Sequence, residues 1–147
     1  MSKMHKREVI SLEIEGDIRF SEVDSMNVVW HGNYLKYFED AREAFGIHYG
    51  MAYIDIYNSG FLTPIVKSEI EHKFPLKYGD KFRTKIALVK TIAAKIVYEY
   101  EILNVTTGKI SAVGKTIQVF IDNQGELQLV SPRFYKEWFN RIQWEKE

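Results

Sequence analysis

The 147 residues contain no cysteine. That removes disulfides, a cysteine nucleophile and thiolate metal sites together, and it suits a reducing compartment. Proline is scarce, with three residues at positions 64, 75 and 132. No Pro/Gly-rich linker, internal repeat or low-complexity tract interrupts the chain, so a single domain over residues 1–147 is expected. Neither sign of charge predominates: twenty Lys and Arg balance twenty Asp and Glu. The basic excess usual in nucleic-acid binders is missing, although a local basic patch for a phosphate-bearing ligand remains compatible with neutrality. No apolar run approaches the length of a membrane span. The polar start, Met1 to Glu8, lacks the apolar core of a signal peptide. These absences predict a cytoplasmic protein that binds neither nucleic acid nor membrane.

Aromatic residues are plentiful, with nine Tyr and nine Phe, and imply a large packed core or a buried interface between subunits. Their spacing organises the chain. Over residues 9–22, Ile10, Leu12, Ile14, Ile18 and Phe20 share one parity while Glu13, Glu15 and Arg19 take the other, as in a half-buried strand bent at Gly16-Asp17. Residues 24–33 break the alternation. Tyr34, Tyr37, Phe38, Ala41 and Phe45 then recur at helical spacing, predicting a helix from His31–Tyr34 to about Phe45, with Gly46 placed to end it.

An irregular stretch, 46–60, precedes four further strand patterns. They centre on Val66–Phe74, Phe82–Leu88, Ile96–Ile102 and Val113–Ile121. Tyr78-Gly79-Asp80, Thr107-Gly108 and Asn123-Gln124-Gly125 supply turns. Ser131-Pro132 resembles a cap followed by proline at the first position of a short terminal helix. Short turns imply antiparallel pairing, and an apolar sheet face needs a cover. The only long helix is the first, so an α+β fold with a curved antiparallel sheet wrapped round that helix is expected.

The segment joining the first strand to the helix holds the candidate chemistry. Asp24 precedes His31 by seven residues. A helix N-terminus offers amide N–H groups without helical partners, and these carry partial positive charge that attracts a developing oxyanion. A carboxylate on the loop feeding that terminus would complete the needs of acyl transfer, namely a base or nucleophile together with oxyanion stabilisation. On residues alone, a cap or turn role for Asp24 and a capping or packing role for His31 are the commoner readings.

The stretch Asp24 to Arg42 (DSMNVVWHGNYLKYFEDAR) resembles the signature of the 4-hydroxybenzoyl-CoA thioesterase-like hotdog family. The matching features are the Asp, the His seven residues on, Tyr34, and Tyr37-Phe38-Glu39 followed by Ala41-Arg42. Tyr78-Gly79-Asp80 also falls where that family carries a Gly-Asp turn.

The resemblance implies a hotdog fold and hydrolysis of an acyl-CoA thioester to a carboxylic acid and CoA. It implies no metal, and no cofactor beyond the coenzyme A of the substrate. Asp24 is then the expected nucleophile or base. His31 would orient substrate or water, with amides near His31 and Gly32 holding the thioester oxygen. Val29, Trp30, Gly32, Asn33 and Tyr34 are the expected substrate-binding residues, Tyr34 also packing on the sheet.

A homodimer or homotetramer is implied as well, with sheets paired edge to edge and the site between subunits. Residues 46–62 would line the acyl pocket or the interface. Lys67, Lys73, Lys77, Lys81, Arg83 and Lys85 form the pool for coenzyme A phosphates. An acyl carrier protein is the alternative carrier, and a non-catalytic acyl-thioester binder is the rival from another class.

The chain departs from the family at Met26 and Asn27, where many relatives have glycine, and at Phe20, where some have tyrosine. Met does not favour a left-handed backbone, so a different loop path is anticipated. His72, at an apolar-parity strand position, is expected to be a hydrogen-bonded core histidine. Glu39 is expected to be structural, at a spacing that suits pairing with Arg42. His5 and His48 belong to no metal-ligand pattern.

Overall fold

The computed structural model describes residues 7–147; His5 and most of the polar start lie outside them. The strands are β1 (Glu8–Asp17), β2 (Phe61–Leu62), β3 (Ile65–His72), β4 (Lys81–Val89), β5 (Lys95–Asn104), β6 (Lys109–Val119), β7 (Ile121–Asp122) and β8 (Glu145–Lys146). The helices are α1 (Asn33–Tyr49), α2 (Tyr53–Asn58) and α3 (Arg133–Arg141), with a 3-10 turn at Phe20–Glu22. Six strands form one antiparallel sheet in the order β3-β6-β5-β4-β1-β8. β2 and β7 pair separately.

The sheet curls round α1. Tyr34, Tyr37, Phe38, Ala41 and Phe45 form its buried stripe, and Phe38 and Phe45 are almost wholly shielded from water. Each such ring contributes roughly 1.5–3 kcal/mol by burial. Opposite them lie Ile86, Leu88, Tyr98, Tyr100 and Ile102 from β4 and β5, with Phe38 stacked on Tyr100 at 4.3 Å. The helix end is tied down on two sides. Tyr49 donates its hydroxyl hydrogen to the Ser11 carbonyl (2.6 Å), and Trp138 of α3 donates its indole N–H to the Tyr49 carbonyl (2.7 Å).

Several local expectations change. α1 runs a turn past Gly46 and stops at Gly50, whose φ of 75° is the left-handed cap. Gly46 serves a close approach instead, since a Cβ there would lie 2.7 Å from the Met51 carbonyl oxygen. The stretch expected to be irregular therefore holds the last turn of α1 and then α2, with β2 directly after it. β1 ends at Asp17, and Phe20 leaves the strand for the 3-10 turn, where it is 77% exposed and meets the Tyr78 ring edge-on. At α3 the N-cap is Pro132, without a side-chain cap from Ser131.

β6 presents its small and polar side to the helix. Ala112, Thr116 and Gln118 are buried, whereas Val113, Ile117 and Val119 are only partly covered. The reason is space: a Cβ at Gly114 would come within 2.4 Å of the Phe38 ring. The Tyr100 and Thr116 hydroxyls hydrogen-bond at 2.8 Å, which satisfies both in the core.

β3 is a bare edge. It pairs with β6 on one side, and along it only Ile70 is even partly buried. His72 is exposed accordingly and its side chain makes no hydrogen bond among the described residues, its ring meeting Tyr34 edge-on at 5.0 Å. It is therefore not the hydrogen-bonded core histidine that parity predicted, because α1 does not extend over this edge. Among the described residues, no helix is long and apolar enough to cross a membrane.

Candidate active site

Asp24 sits at the neck of a tight hairpin. Val23 pairs with Val29, the Asp24 N–H donates to the Val28 carbonyl (2.8 Å), and the Asn27 N–H donates back to the Asp24 carbonyl (3.0 Å). Closing this turn requires one residue with positive φ, and Asn27 supplies it at 60°. Met26 keeps an ordinary backbone and is 74% exposed. The loop thus accommodates both departures from glycine. The hairpin is docked on the β3–β4 connection, with the Val29 N–H donating to the Leu76 carbonyl (2.8 Å) and Val28 bridging Lys77.

The Asp24 carboxylate is half engaged. Oδ1 accepts the N–H groups of Met26 (2.8 Å) and Val28 (3.3 Å). Oδ2 takes part in no hydrogen bond among the described residues. One oxygen therefore holds the turn and orients the group, and the other is left uncommitted.

Helix α1 begins close by. The Trp30 N–H donates to the Glu22 carbonyl (3.0 Å), two residues along the ladder from Asp24, which is about 7 Å. The Asn33 and Tyr34 amides are taken by the carbonyls of Trp30 (2.9 Å) and His31 (3.3 Å). Among the described residues the amides of His31 and Gly32 donate to no backbone carbonyl, and they lie at the positive end of the 17-residue helix. The Trp30 ring lies across Gly32, where a Cβ would come within 2.2 Å of it, so only glycine permits this close approach. His31 is exposed and stacks obliquely on Trp30 at 5.0 Å.

The remaining candidates divide by role. Val29 is buried and fixes the hairpin. Asn33 is buried and donates its side-chain amide to the Glu22 carbonyl (2.8 Å), bracing the entry to α1. The buried Tyr34 hydroxyl accepts the Leu76 N–H at 3.3 Å, and burial raises its pKa. These side chains are absorbed by the scaffold, whereas Trp30 and His31 are exposed. Beside them the Tyr37 hydroxyl is buried without a hydrogen-bond partner, and burial together with the Glu22 carboxylate raises its pKa.

Glu39 pairs with Arg42 at 2.7 Å, as its spacing implied. Of the basic residues considered for phosphates, Lys67, Lys73, Lys81 and Arg83 are committed to Glu69, Glu71, Asp17 and Glu13/Glu15. Lys77, next to the hairpin, has no carboxylate within ion-pair distance among the described residues.

A cavity of about 640 Å³ opens further along α1, which contributes Glu39, Arg42 and Gly46 to its wall. Residues 46–62 supply Met51, Ala52, Ile56 and Leu62, and the sheet supplies Ile96, Tyr98 and Gln118. Gln118 has no counterpart in the sequence reading, because nothing in its strand pattern distinguishes it from a solvent-facing glutamine.

Residues 18–139 match the family model of the thioesterase-like superfamily. The chain belongs to that superfamily. The Bacillus subtilis (strain 168) protein YneP, provisionally named an acyl-CoA thioesterase, is 29% identical over 124 residues, covering 84% of this chain and 89% of YneP. Among solved structures, the DHNA-CoA thioesterase of Staphylococcus aureus superposes with a TM-score of 0.77 at 28% identity, covering 92% of this chain and 91% of that one. The 4-hydroxybenzoyl-CoA thioesterase of Pseudomonas sp. strain CBS-3 superposes at 0.75 with 23% identity, covering 87% and 98%. The hotdog fold and the reaction class, thioester hydrolysis, follow for this superfamily member.

Proposed function

We propose that this chain hydrolyses acyl-CoA thioesters, with Asp24 as the reactive carboxylate. The observation that carries the reading is the half-engaged Asp24 beside the free amides of His31 and Gly32. In the proposed reaction the thioester oxygen lies against those amides, which stabilise negative charge as the carbonyl becomes tetrahedral. Asp24 Oδ2 either removes a proton from the attacking water or adds to the carbonyl carbon itself. In both routes the C–S bond breaks and the coenzyme A thiolate leaves and is protonated; in the second, water then cleaves the acyl–Asp24 anhydride, which frees the acid and restores the carboxylate. Coenzyme A enters only as the leaving group.

The exposed His31 and Trp30 would flank the thioester, and Lys77 would meet the coenzyme A phosphates. Catalysis favours this reading over a merely binding protein because an unpaired carboxylate oxygen beside a polarised carbonyl is a reactive arrangement.

The site is proposed to work in a homodimer joined through β3. A long unpaired edge is a template for a second strand. Val66 (60% exposed) lies on it and Phe74 (50%) just past its end, while Trp30 (52%) and Met26 (74%) belong to the hairpin docked on the chain that follows, exposed apolar groups of the kind that mark an interface.

Thiol release with a panel of acyl-CoAs, repeated with the same acyl groups on acyl carrier protein, tests the carrier and the reaction together. A higher kcat/KM on coenzyme A is the expected result; preference for the carrier protein would reassign the substrate, and no release from either would leave a binding protein. Light scattering should give twice the chain mass, reverting to a monomer in Val66→Asp.

A further inference from the structure

Gln118 is 6% exposed, and its orientation is set by its amide nitrogen, which donates to the Thr63 carbonyl (2.7 Å) and lies 3.1 Å from the Thr63 hydroxyl. Its carbonyl oxygen, Oε1, is left buried with no partner. Buried acceptors are rarely left so, because an unmet acceptor forfeits its hydration without recompense. Gln118 borders the cavity described above, whose other walls include Ile96, Ile56, Met51 and Trp138. Glu39, Asp40, Arg42 and Glu43 also line the cavity, but the strand neighbours of Gln118 are Ile65 and Ile96, so its unmet acceptor suits an apolar ligand that brings one hydrogen-bond donor.

The cavity and the Asp24 site lie towards opposite ends of β3. His72 touches Tyr34 at the start of α1, and the chain from His72 continues to Leu76 and Lys77, which hold the Asp24 hairpin. At the other end of the strand Ile65 borders the cavity and pairs with Gln118. Between them Ser68 and Ile70 lie on the same side and are not fully covered. The seven residue steps from Ile65 to His72 span about 23 Å. A group reaching Gln118 from a thioester near Asp24 must therefore stand many carbons from that thioester. A hydroxylated ring attached directly to the carbonyl is too short.

Building on the acyl-thioesterase reading, we infer that this cavity receives the far part of a long aliphatic acyl chain, and that Gln118 selects chains carrying a hydroxyl there. The test is kcat/KM for matched pairs of acyl-CoAs, plain and ω-hydroxylated, from short to long, in the wild type, Gln118→Leu and Leu62→Trp. The wild type should favour the long hydroxylated chain over its plain counterpart by about three- to tenfold, the value of one hydrogen bond. Gln118→Leu should abolish that ratio. Leu62→Trp, at the cavity mouth and already 38% exposed, should slow long chains and spare short ones.

An unchanged hydroxyl preference in Gln118→Leu, or an equal effect of Leu62→Trp on every length, would overturn the inference. If no acyl-CoA is cleaved, the preceding reading has failed, and calorimetric titration with an ω-hydroxy long-chain fatty acid decides the cavity alone. Binding that is lost in Gln118→Leu supports the inference, and absence of binding refutes it.

Discussion

Tyr34→Phe separates a scaffold role from a substrate-binding one. The Tyr34 hydroxyl is buried and accepts the N–H of Leu76, which is itself 0% exposed, so no water can replace the lost acceptor. An orphaned buried amide costs about 1–3 kcal/mol. For 147 residues the unfolding entropy is roughly 0.3 kcal/mol/K, so the Tm should fall by about 3–10 °C. The loss also reaches the site, because the Leu76 carbonyl holds the Val29 N–H and through it the Asp24 hairpin. Circular-dichroism melts, paired with thiol-release kinetics well below the Tm, are the assay. The expected result is a lower Tm with KM within about twofold of wild type. An unchanged Tm together with a large rise in KM would refute this reasoning and return the hydroxyl to the substrate.

Asn27→Val forces a β-branched residue to φ 60° and should destabilise the fold by about 1–2 kcal/mol in urea titrations, whereas Asn27→Gly should not. Lys77→Glu should raise KM for acyl-CoA several-fold with an unchanged Tm, and the wild-type KM should climb with salt. Burial pushes Tyr100 up to about 12 and also raises Tyr34, Tyr37, Tyr98 and Tyr135. A phenol whose folded pKa lies above its unfolded value of about 10 contributes stability that is complete below pH 10 and lost as pH rises toward 12. For Tyr100 alone this is worth about 3 kcal/mol. The phenolate absorbance of the buried tyrosines should therefore rise together with unfolding in an alkaline titration; ionisation of Tyr100 in a chain that stays folded would contradict it.

Much of the fold is legible in the residue pattern, because α1 and most strands obey the periods of 3.6 and 2. Reading fails where a residue answers to a neighbour remote in sequence. Gly46 looks like a stop signal, yet it is small so that Met51 can approach; Gly50 is the true stop. β6 turns its small and polar residues inward because the Phe38 ring occupies the space, which no alternation rule encodes. His72 has a buried parity on a strand that is left largely exposed among the described residues.

In the candidate site, Asp24 and His31 stand out through their spacing and resemblance. The division of labour around them does not, because Asn33 and Tyr34 are claimed by Glu22 and Leu76, partners fixed only by the fold. Gln118 is invisible in the sequence for a similar reason, since its unmet carbonyl exists only once Thr63 has taken the other end of the amide.

The most direct measurement is kcat of Asp24→Asn beside its Tm, with any acyl-CoA the wild type cleaves. Asparagine keeps an oxygen to accept the Met26 and Val28 amides, so the hairpin should survive and the Tm should change little. With the reactive carboxylate gone, kcat should fall by about 10²–10⁴. Turnover at the wild-type rate in a folded Asp24→Asn protein would contradict the account.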